Sequence, residues 1–152
     1  MKNFVFRLAS ILTLRTREEE RAREIFGKAA QAQTQAALAL DEARAGLDGC
    51  YAALVSGRTG ATNRTEQILL LNALQYQQTQ CQRLVIRLAA ADREAALRRG
   101  EFLAARRKRE ALTRLRERQS RAHRLAQDRH EENEVSDLIA ARHVRVPQEV
   151  GA

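Results

Sequence analysis

The chain is poor in the residues that punctuate and fill an ordinary globular domain. It has one proline (Pro147), no tryptophan and only six aromatic rings, two Tyr and four Phe, in 152 residues. So few rings exclude a conventional large-residue core. A lone proline near the end leaves the body free of helix breakers. Two cysteines, Cys50 and Cys81, are too few for a disulfide framework and stand at no metal-ligand spacing. Nowhere do eighteen apolar residues run together, which excludes a membrane-spanning helix. The opening residues carry Lys2 and an apolar run, but Arg7 interrupts it and no small-residue cleavage site follows, so a signal peptide is not expected.

What remains is Ala, Leu, Gln, Glu and Arg, the composition of long helices and coiled coils. From Asn3 to about Val55, residues Val5, Leu8, Leu12, Arg15, Glu19, Ala22, Phe26, Ala29, Gln33, Ala36, Leu40, Ala43, Leu47, Cys50 and Leu54 recur at alternating spacings of three and four. That is a coiled-coil seam, polar only at Arg15, Glu19 and Gln33. Its many alanines imply close helix approach with modest burial per residue. A second stripe runs through Leu70, Leu74, Gln77, Cys81, Leu84, Leu88, Ala91, Ala95, Arg98, Phe102 and Ala105, thins through Leu112, Leu115, Ala122 and Leu125, and revives at Val135, Leu138 and Ile139.

Between the stripes lies Ser56 to Asn63, the one cluster of helix breakers and starters in the body of the chain. Gly57 and Gly60 are suited to the left-handed conformation that ends a helix, and Asn63 with Glu66 reads as a capping box. The fold expected is all-α, a long antiparallel two-helix coiled-coil hairpin with the second helix longer than the first. It forms a single domain, with arm one at about 3–55, the bend at 56–63, arm two at about 64–143 and a tail at 144–152. A bend centred near residue 60 sets the first residues opposite about 112–118, leaving some 25 residues of arm two overhanging by ~35–40 Å. The same register separates the two sulfurs by ~16 Å along the helices, beyond disulfide reach. Two free thiols and a reducing, cytoplasmic setting follow as expectations.

The net charge is +8, and 24 of the 27 basic residues are arginine. From Arg98 to Arg129 twelve basic residues face four acids, Glu101, Glu110, Glu117 and Asp128. Such a run suits a solvated helix whose Arg stems cover a poor seam, an acidic protein partner, or nucleic-acid phosphates. Absence of interleaved aromatics weighs against the last. Two apolar surpluses exceed what one seam can cover. Phe4, Val5, Phe6, Leu8, Ile11, Leu12 and Leu14 crowd the N terminus, and Ile68, Leu69, Leu70 and Leu71 follow one another after the bend, where at least two must face outward. Phe4, Phe6 and Leu8 sit where a bare two-helix tip is not expected to bury them.

Catalytic constellations are lacking. His123, His130 and His143 have no ligand partner at i+4, and Gly57-Arg-Thr-Gly60 lacks the lysine and spacing of a phosphate loop. Neither enzymatic activity nor a metal or cofactor is expected.

The opening Phe4-Val5-Phe6-Arg7-Leu8, continued by Ile11, Leu12, Leu14 and Arg15 and then Glu18-Glu19-Glu20, resembles the N-terminal signature of the FliJ family of flagellar export proteins. Asp137-Leu-Ile-Ala140-Ala141-Arg142-His143 is similar to that family's closing Asp-x-x-Ala-x-Arg stretch, and the restart at Asn63-Arg-Thr-Glu66 fits as well. The resemblance implies a non-enzymatic stalk and coupling component of the flagellar type III export apparatus, similar to the central stalk of rotary ATP synthases. It implies partners too: the flagellar export ATPase, the export gate protein FlhA and export chaperones. Docking to the ATPase ring would fall to Phe4, Phe6, Arg7, Leu8, Leu12 and Arg15, and gate contact to Ile68, Leu71, Gln75 and Tyr76. The protein would be cytoplasmic and peripheral to the inner-membrane export complex; its oligomeric state is left open, with a monomer favoured. Two other readings share these features: a basic coiled-coil nucleic-acid binder, and the equivalent stalk of a virulence-type secretion system.

Overall fold

The computed structural model describes residues 3–60 and 63–145. Two helices make up the fold, α1 (Ala9–Thr59, 51 residues) and α2 (Arg64–Arg145, 82 residues), packed against each other with no strand among the described residues. The all-α architecture and the longer second helix are as the periodicity predicts. The expected tail at 144–152, Pro147 included, lies outside the described residues from 146 onward, as do residues 61 and 62 of the bend.

The contacts divide the chain into two compact units. One comprises Met1–Thr16 with Arg106–Ala152, the other Arg17–Ala105. In the second unit α1 and α2 run antiparallel. Phe26 and Phe102 stack with ring centroids 6.1 Å apart and planes 8° from parallel. The Gln33 amide donates to Asp92 Oδ1 at 2.7 Å, and the Gln78 amide donates to the Tyr51 hydroxyl at 3.0 Å. The Gln77 amide lies 3.5 Å from where a Cβ on Gly46 would stand, in ordinary contact distance.

These four pairs centre the register on Asn63, not on residue 60. Each residue of displacement at a turn moves the opposing register by two, so facing positions shift by about six residues, roughly 9 Å along the axis. The cause lies at the end of α1. Expected to stop at about Val55, it continues through Ser56 and Gly57 to Thr59. The Ser56 hydroxyl donates to the Ala53 carbonyl at 3.1 Å and so joins the helix instead of breaking it. One glycine inside a helix costs only about 1 kcal/mol. Gly60 is not in the left-handed conformation. Asn63 does open α2: its carbonyl accepts the Gln67 N–H at 3.2 Å, as an N-cap residue's should. Both cysteines are free and half-buried; in the shifted register, Cys81 stands about five residues from the position facing Cys50 rather than eleven.

The seam is thin. Every predicted α1 position from Leu8 to Leu54 is buried or half-buried, and so is every α2 position from Leu70 to Ala105. Yet among the described residues of this second unit only Ala36, Leu40 and Ala95 are buried. Small residues let the backbones approach, which makes the few larger seam residues disproportionately valuable. Leu40→Ala should therefore cost about 2–3 kcal/mol. Leu38→Ala, on the outer face, should change stability by less than about 0.5 kcal/mol. Denaturant midpoints followed by helical circular dichroism measure both.

Candidate functional site

In the first unit, residues 3–6 are not helical, contrary to a helix beginning at Asn3. Arg7 and Leu8 form a turn in which Ala9 N–H donates to the Phe6 carbonyl at 3.1 Å, and Leu12 N–H donates to the Leu8 carbonyl at 2.9 Å as α1 begins. The physical reason is ring burial. Helical residues step by 100°, so a helix through residues 4–6 aims Phe4 and Phe6 in different directions; non-helical backbone can set alternate residues to one side. Phe6 is 8% exposed, Phe4 half-buried, and Val5 between them 78% exposed. Phe4 lies against His123 of α2, centroids 5.7 Å apart and rings tilted by 57°.

This arrangement corrects three expectations. The tip does bury Phe6; Val5, assigned to the seam, faces outward; and the partnered part of α2 extends to His123 rather than stopping near 118. Of the residues expected to dock, Arg7 is exposed, Phe4, Leu8, Leu12 and Arg15 are half-buried, and Phe6 is buried. Phe4, Val5, Phe6, Ala9, Leu12, Thr13 and Arg116 line one shallow depression there. Neither the outward side of Val5 nor the contact of Phe4 with His123 was legible in the sequence, because both depend on the departure from helix at residues 3–6.

The arginine run is organised by carboxylates on its own helix. Arg106 and Arg114 reach Glu110 at 2.7 and 4.0 Å, and the hydrogen bond from Arg106 holds the Glu110 carboxyl below its ordinary range. In the second unit, Arg98 bonds both Glu101 and Glu94, at 2.9 and 2.7 Å, and these bonds raise its guanidinium pKa. Lys28 likewise lowers Glu24. Glu24 and Lys28 are exposed and Arg98 and Glu110 only half-buried, and ion pairs so open to solvent contribute little stability. Beyond Glu110, the side chains of Arg116, Arg121 and Arg124 gather on one α2 face with Thr113, Glu117 and Ser120.

The second unit carries its own exposed apolar surface next to the turn. Ile68, Leu69 and Leu71 face solvent while Leu70 turns into the seam, so three of the four consecutive residues are outward. Ile68, Leu71 and Gln75 follow one another at spacings of three and four on α2, with Tyr76, 62% exposed, beside them. Gln75 and Tyr76 border a shallow polar depression completed by Asn72, Thr79, Gln80 and Arg83. Tyr51 and Val55 of α1 add exposed area that the α2 pattern did not indicate.

Among the described residues no group of three or more His, Cys, Asp or Glu is placed to hold a metal ion, and no helix is long and apolar enough to cross a membrane. Replacing Phe6 by Ser should cost about 3 kcal/mol. Replacing Val5 by Ser should leave the unfolding midpoint within about 0.5 kcal/mol of the parent. Equal losses for the two would reverse the inward and outward assignments.

A family model described as Flagellar FliJ protein matches residues 4–149. Comparisons with curated proteins and with solved structures find no match.

Proposed function

Because the chain belongs to the FliJ family, and so to the components of flagellar type III protein export, we propose that it is a non-enzymatic stalk that couples the export ATPase to the export gate. The observation that supports this reading is that each unit carries exposed apolar residues beside its candidate site, Val5, Ile11 and Leu14 in the first and Ile68, Leu69, Leu71 and Tyr76 in the second. Residues Phe4, Arg7, Leu8, Leu12 and Arg15, backed by Phe6, form the ATPase-docking set. Ile68, Leu71, Gln75 and Tyr76 form the surface for the gate protein FlhA, and export chaperones are further partners. The protein works in the cytoplasm, peripheral to the membrane export complex, and hydrolyses nothing itself. The family match across residues 4–149 favours this role over a nucleic-acid binder or a virulence-system stalk.

The division of labour gives a two-sided test. Steady-state activity of the cognate export ATPase should rise when this protein is added. Arg7→Glu, at an exposed site, should remove most of that rise without loss of helicity. Leu71→Glu with Tyr76→Glu should abolish capture by the gate's cytoplasmic domain and leave ATPase stimulation intact. A parent protein that neither stimulates nor co-elutes with the ATPase overturns the docking role.

A further inference from the structure

From Asp128 to Arg142 every α2 side chain is exposed. That stretch nonetheless carries Val135, Leu138 and Ile139, at 55, 68 and 53% exposure, with Leu125 (58%) just before it. Val135, Leu138, Ile139, Ala141 and Arg142 line one surface depression. Its charges are sorted along the axis. On the N-terminal side of His130 stand Arg118, Arg121, Arg124 and Arg129, with Asp128 and Glu117 the only acids from Arg114 onward. On the C-terminal side come Glu131, Glu132, Glu134 and Asp137, with no basic residue among them until Arg142.

We infer that this stretch of α2 pairs with the same stretch of a second copy of the chain, antiparallel and centred near His130. Charge order decides the partner and its direction. A parallel copy would set arginine on arginine and carboxylate on carboxylate; reversing it sets Arg124 and Arg129 of each chain opposite Asp137 and Glu132 of the other. Centred there, the pairing sets Arg129 against Glu132 twice by symmetry. The same register brings Ala122 to Ile139 and leaves Leu125 beside Ser136, so that part of the exposed apolar surface becomes a short seam. A two-fold axis requires this reciprocity, each residue meeting in the partner the residue that meets it. With few large residues in the seam and charges that salt screens, the dimer is weak and dissociates as ionic strength rises. This pairing is independent of the docking role, and it needs no other protein.

Sedimentation of the full chain over a range of concentrations tests it. The parent should show a monomer–dimer equilibrium that shifts toward monomer at high salt. Arg129→Glu and Glu132→Arg should each weaken dimerisation about tenfold or more, and the two changes combined in one chain should restore it, because the exchanged charges meet again across the axis. Ile139→Asp should weaken it with helicity unchanged. The inference is overturned by a chain that stays monomeric at every concentration, whether or not it then shifts a short DNA duplex or binds the export ATPase. Restoration failing in the double variant, or a dimer indifferent to Ile139→Asp, overturns it equally.

Discussion

Close approach of two helix backbones along a seam of small residues is the constraint on which the rest of the structure depends. Ala22, Ala29, Ala36 and Ala43 on α1, and Ala91, Ala95 and Ala105 on α2, stand along this seam, and none of them is exposed. Burial per residue is correspondingly small. Stability is therefore spread over many weak contacts, with Leu40 and the Phe26–Phe102 stack as local anchors. Polar residues are tolerated in such a seam because they remain half-exposed and find partners across it, as Gln33 does with Asp92.

A thin seam also explains where the exposed apolar surface lies. The helices cannot absorb all their large apolar residues, so the surplus collects on outer faces: Val5, Ile11 and Leu14 in one unit, and Ile68, Leu69, Leu71 and Tyr76 in the other. Membership of the FliJ family supplies the context in which a partner-binding scaffold is useful.

The helical seam was legible from spacing alone, since side chains three and four apart must share a face. Every predicted position from Leu8 to Leu54 and from Leu70 to Ala105 avoids full exposure. Three things were hidden. The end of α1 depended on whether Ser56 would break the helix or bond back to Ala53, and local propensity favours neither strongly. That choice moved the centre of the register to Asn63. The non-helical turn at residues 3–8 was hidden because the gain from burying Phe6 and setting Phe4 against His123 comes from contacts more than a hundred residues apart in the chain. Of the candidate sites, the outward residues after the turn were visible as four consecutive apolars. The inward role of Phe6 and the outward one of Val5 were not.

The register is the central claim, because it determines which residues face one another along the second unit and where its seam ends. Cross-linking measures it most directly. In a Cys50→Ser, Cys81→Ser background, cysteines introduced at Gln33 and Asp92 should form a disulfide under mild oxidation, since the side chains at those positions meet across the seam. Cysteines at Gln33 and Arg87, the pair that a bend centred near residue 60 would bring together, should not. Rapid cross-linking of 33 to 87, with 33 and 92 remaining reduced, would contradict the account.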